Sequence, residues 1–217
     1  MGLRVVVEVA PKRAFASALD WPGWSRGAKT PEEALESVLA YAPRYAKVAK
    51  RAKVSFSPPA TSRGIEVVER LKGGSGTEFG VPSATARSET DPLPPRELAR
   101  LVALLEASWS TFDAAARQAH GVTLTLGPRG GGRQVPKMVE HVREAEAAYV
   151  HQLGTKASGS EMKQLRSSFV EALRLLAAGE PLPTPNKVRK PWTPRYAIRR
   201  SAWHALDHAW EIEDRSP

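Results

Sequence analysis

No cysteine occurs among the 217 residues of this chain. Disulfides, thiolate metal sites and a cysteine nucleophile are therefore excluded, and any metal site must use histidine, carboxylates, backbone and water. No apolar run approaches the roughly 20 residues that a membrane-crossing helix needs, so no membrane partner is expected. The opening Met1-Gly2-Leu3-Arg4-Val5-Val6-Val7-Glu8-Val9 is too soon interrupted by Glu8 to read as a secretory leader, and a cytoplasmic location is the expectation. The loop Gly127-Pro128-Arg129-Gly130-Gly131-Gly132 lacks the Gly-Lys-Ser/Thr ending of a phosphate-binding loop and follows no strong strand. No Ser-His-Asp or nucleotide-binding pattern stands out.

What is present suffices for a core. At 41 % hydrophobic residues, the chain can form one large domain or two small ones. Its formal charge of +9 invites a nucleic-acid partner. The basic residues fall into two blocks, one of Arg44, Lys47, Lys50, Arg51 and Lys53, the other of Lys187, Arg189, Lys190, Arg195, Arg199 and Arg200. Neither block is accompanied by interleaved aromatics or a Gly-rich reading loop. A solvated helix face and a solvated loop are the plainer reading.

Residues 3–9 are β-branched and read as a strand, and 13–20 alternate well enough for a second, joined across Pro11-Lys12. A turn follows at Asp20-Trp21-Pro22-Gly23-Trp24. Thr30 is a good helix cap, with Pro31 at the first position and Glu33 where a capping box needs it. The helix is expected over 31–42, with continuation past Pro43 toward residue 52 open. Residues 54–56 and 64–71 are further strand candidates. Residues 73–94, with Gly73, Gly74, Gly76 and the prolines Pro82, Pro92 and Pro94, read as an interdomain connection ordered in part around Phe79 and Val81. Four amphipathic helices then follow, over 95–119, 135–153, 160–178 and 195–214, separated by Gly- and Pro-rich breakers. The fold class is thus α+β: a small α/β module over 1–72, then a four-helix bundle over 95–217.

Of five histidines, His204 and His208 stand four apart on the last helix, where i and i+4 share a face. They border an apolar stripe, and a buried neutral imidazole needs a hydrogen-bond partner or a metal. The second helix offers His141 and His151, separated by about 80° around the axis at 100° per residue. His141 lies beside the inward stripe Met138, Val142, Ala145, Tyr149 and Gln152, and is the better third ligand. Three histidines with open positions form the ligand set of a catalytic site, one that suits zinc, nickel, copper and iron alike. Glu146 reads either as an outer partner of such a site or as a surface carboxylate. Asp207 falls about 100° off the histidine face and is a poor ligand. Glu211, Glu213, Asp214 and Arg215 read as a salt-bridge cluster, Trp203 and Trp210 as packing, and His120 as a helix-end cap.

The run His141-Val142-Arg143-Glu144-Ala145-Glu146 and the later Trp203-His204-Ala205-Leu206-Asp207-His208 resemble the two signatures of the DinB-like superfamily, over residues 95–215. The resemblance implies a divalent metal, zinc or nickel first, held by His141, His204 and His208. It also implies a transferase or isomerase activity with a low-molecular-weight thiol and a small-molecule substrate, and pairing as homodimers. Residues 3–55, through Leu19-Asp20-Trp21-Pro22-Gly23-Trp24 and Lys29-Thr30-Pro31-Glu32-Glu33-Ala34-Leu35, resemble the HicB-like fold. No DNA-binding helix-turn-helix or ribbon-helix-helix is appended, so this module is expected to pack on the bundle or mediate dimerisation. The rival reading is a non-enzymatic binding or regulatory protein whose basic face meets nucleic acid or an acidic partner.

Overall fold

Val5, Val6 and Val7 lie buried at the middle of β1 (Leu3–Val9), a strand with neighbours on both sides. A strand covered on both faces reads as a continuous apolar run rather than an alternating one. The computed structural model, which describes residues 2–127 and 131–217, is mixed α/β: a four-stranded sheet near the N-terminus with helices after it. The strand order is β3-β2-β1-β4, formed with β2 (Ala14–Ala18), β3 (Ser25–Ala28) and β4 (Ile65–Lys72). β1 runs antiparallel to β2 and parallel to β4. Charged Glu66, Glu69 and Arg70 stud the outer strand β4, a common protection for an exposed edge.

Helix α1 (Pro31–Ala40) opens with the capping box expected of it, Thr30 and Glu33 bonding reciprocally. It stops at Tyr41. A separate helix, α2 (Ala42–Arg51), takes over with Pro43 in its first turn, where the missing N–H would have had no partner. One expected strand is absent and one unexpected strand is present. Residues 54–56 form no strand: Lys53, at φ 56°, turns the chain out of α2, and Pro58 and Pro59 have no N–H to offer a ladder. Phe56 instead packs on the rings of Trp21, Trp24 and Tyr45. Conversely, Ser25–Ala28 has little strand propensity, yet it pairs with β2. Gly27 allows it, since a Cβ there would stand 2.7 Å from the Phe15 ring.

The segment 73–94 is held at buried carboxylates and not around Phe79, which is exposed. Glu8 accepts from the Thr77 hydroxyl and from the backbone N–H groups of Ser83 and Ala84, at 3.2 and 3.0 Å for the last two. A short helix α3 (Ser75–Phe79) sits at this anchor. Glu89 receives Arg199 through Nε at 2.6 Å and Nη2 at 2.9 Å, with both side chains almost fully buried.

Four long helices complete the chain: α4 (Pro95–Gln118), α5 (Val135–Gln152), α6 (Met162–Ala178) and α7 (Pro194–Arg215). Residues 128–130 of the expected glycine loop lie outside the described residues. Helix α7 is buried nearly all round. Ile198, Ala202, Ala205, Ala209 and Ile212 enter the bundle core, while Leu206 and Trp210 join the core of the sheet. The Trp21–Trp24 turn presses on the same helix: Gly23, at φ 91°, abuts Ala202 and Leu206. Trp203 meets Phe15 of β2 edge-on, and Trp210 packs on Tyr41, so both tryptophans pack as expected. Among the described residues, no helix is long and apolar enough to cross a membrane.

Candidate metal centre

His204 and His208 project from successive turns of α7, both buried, with ring centroids 4.7 Å apart. From α5, His141 reaches between them, its centroid 5.1 Å from each. The Nε2 atoms of His141 and His204 are 3.2 Å apart, and one nitrogen from each of the three rings lies within 4.8 Å of the others.

One ring is held from behind. Glu211, a turn beyond His208, places Oε2 at 3.0 Å from His208 Nδ1. A carboxylate only accepts, so Nδ1 carries a proton and Nε2 is the nitrogen that can ligate. Arg215 holds Glu211 in turn, donating from Nη1 at 2.6 Å, and is itself bonded to the backbone oxygens of Thr125 and Arg133. A carboxylate behind a histidine is the usual outer arrangement of a metal-binding imidazole.

The electrostatics favour neutral rings at His141 and His204. Burial, then the positive charge of Arg133 and the neighbouring His208, holds His141 below the ordinary imidazole range. His204 is pushed well below it, by burial first and then by His208 and Arg200. Neutral imidazole is the form that ligates metal. Converging nitrogens from His141, His204 and His208, the last with Nδ1 held by a carboxylate, fit a borderline ion such as zinc or nickel.

The other candidates fall elsewhere. His151 and His120 are exposed at the ends of α5 and α4. Glu146 is not a surface carboxylate: it is buried and accepts from Arg166, which also bridges to Asp113 of α4. Burial outweighs the Arg166 charge and pushes Glu146 up to about 7. Asp207 turns away from the histidines toward Arg26. Of the terminal cluster, Glu213 and Asp214 pair with Arg44 of α2, and Glu211 serves both Arg215 and His208. That second role of Glu211 was open to sequence reading, because a spacing of three places it on the His208 face.

A wide groove of about 1900 Å³, lined by Trp109, Phe112, Val139, Arg166 and Val170 among others, opens between α4, α5 and α6. None of the three histidines lines it, so pocket size and metal chemistry point to different places. The histidine cluster holds the concentrated chemistry. Both basic blocks are partly neutralised within the fold: Arg44, Arg195 and Arg199 have carboxylate partners, and Arg51 donates to Ser110. Comparison with family models, with curated proteins and with solved structures gave no match.

Proposed function

We propose that the chain is a divalent-metal-binding protein of the DinB-like type, with His141, His204 and His208 as ligands and zinc or nickel as the ion. The observation that carries this reading is the convergence of three imidazoles from two helices, with Glu211 fixing the proton of His208. A bound ion supplies Lewis acidity, or lowers the pKa of a coordinated thiol or water. The activity that goes with it is a transferase or isomerase reaction using a low-molecular-weight thiol, in a cytoplasmic protein. The N-terminal sheet and α1–α2, the HicB-like part of this reading, buttress α7 from behind.

The test is elemental analysis of untagged protein, as wild type and as His141→Ala. About one equivalent of metal per chain is expected in the wild type and loss in the variant. No metal in either protein, even after zinc or nickel is added, overturns the reading. A second reading, favoured by Lys47, Lys50 and Lys53, exposed and without ion pairs among the described residues, is a scaffold whose basic surface at α2 and the turn after it meets nucleic acid. It requires steeply salt-dependent binding that is lost when the three lysines are changed together.

A further inference from the structure

Arg200 stands one turn before His204 on α7, so Arg200, His204 and His208 occupy one face at successive spacings of four. Every neighbouring arginine of the helix has a carboxylate: Arg195 has Glu97, Arg199 has Glu89 and Arg215 has Glu211. Arg200 has none within ion-pair distance among the described residues. Its Nη1 is buried with no protein acceptor, and so is the indole Nε1 of Trp203. The guanidinium lies over two rings, 5.2 Å from the Tyr149 centroid and 4.7 Å from that of Trp203.

Stacking occupies the faces of a guanidinium and leaves its edge donors free. A buried donor with no acceptor is costly, and a fixed planar fork matches the two oxygens of a carboxylate. Tyr149 also touches the ring of His204, with centroids 5.7 Å apart, so the aromatic wall behind Arg200 continues to the histidine cluster. Arg200 is itself partly exposed.

We propose that Arg200, with the Trp203 indole N–H beside it, recognises a carboxylate on the substrate. The ligand is a small organic acid whose second donor atom, a thiol, hydroxyl or carbonyl oxygen, reaches the histidine cluster about 6 Å along the helix. The second half of that statement rests on the metal reading above; the carboxylate contact does not. Arg200 is a positioning residue in this scheme: it selects and orients an acid and takes no part in bond making.

Two arms of one experiment separate the ideas. In the first, metal-free protein is titrated with mercaptoacetate and followed by the NMR signals of the Trp203 indole and Arg200 guanidinium N–H groups. Saturable shifts of both are expected, absent in Arg200→Met and partly restored in Arg200→Lys. In the second, calorimetry on zinc-loaded protein compares mercaptoacetate with its methyl ester, which lacks the carboxylate charge. The acid-to-ester affinity ratio should fall roughly ten- to hundredfold from wild type to Arg200→Met. Unmoved N–H signals in the wild type, or an undiminished acid preference in Arg200→Met, overturn the proposal. A merely structural arginine would instead reveal itself as lost folding stability with ligand preference unchanged, which equally overturns it. If zinc does not bind at all, the metal reading fails while the first arm still decides the role of Arg200.

Discussion

Changing Gly23 to alanine tests how the sheet is seated on the last helix. The residue sits at φ 91°, a region that L side chains enter at a cost of about 1–2 kcal/mol. The turn cannot swing away, because Trp24 N–H bonds Trp21 O at 3.1 Å and Tyr45 Oη donates to Pro22 O at 2.9 Å. A new Cβ would stand 2.7 Å from Leu206 Cδ1 and 3.1 Å from the Ala202 backbone. Forcing atoms into a filled space adds about 1–3 kcal/mol. Gly23→Ala should therefore lose about 2–5 kcal/mol, read from urea unfolding as a lower midpoint with an unchanged slope. The clash with Leu206 can be isolated in a double-mutant cycle. Leu206→Ala alone costs about 2–5 kcal/mol for the cavity it leaves. The double variant should be less damaged than the sum by about 1 kcal/mol or more, since one of the two obstructions has gone. A loss under about 1 kcal/mol for Gly23→Ala, or strict additivity in the cycle, would refute this account of the junction.

Glu211→Gln should keep the fold and weaken zinc binding about 10- to 100-fold, measured by competition with a chelating dye, because His208 loses the carboxylate that fixes its tautomer. Glu89→Ala, which strands the buried Arg199, should cost about 3–5 kcal/mol in chemical denaturation. Replacing both partners by apolar residues of similar volume should be far milder. Glu146 gives a pH signature: its carboxyl is raised from 4.5 to about 7, so between those values the folded state holds a proton that the unfolded state has released. Stability then falls as pH rises through that window, by about 3 kcal/mol at most, and Glu146→Gln should flatten the slope.

The parts of this fold that sequence reading reached are those written in local periods and caps. The Thr30 box, the Pro22-Gly23 turn and the four apolar stripes each depend on residues a few positions apart, so their signals survive without a tertiary context. The grouping of His141 with His204 and His208 was also legible, because two helical stripes and a four-residue spacing orient all three. What escaped is non-local. Ser25–Ala28 becomes a strand only because β2 offers a partner, and 54–56 fails to become one because Lys53 and two prolines turn it onto an aromatic cluster. Glu146 read equally well as a surface residue until Arg166, on the next helix, came into reach. The isolation of Arg200 could not be read at all: a missing acceptor is a property of the whole surroundings and leaves no mark on neighbouring letters.

Helix α7 is shared property. One side of it carries His204 and His208, and the other side, through Leu206 and Trp210, fills the floor of the sheet. Anything that grips the first side is therefore felt as thermal protection by the second. A ligand at a hundred times its dissociation constant contributes about 2.7 kcal/mol to whatever unfolds with the helix. Trp24, sealed in the sheet core, should then report the filling of a site that it never meets, through the temperature at which its fluorescence changes.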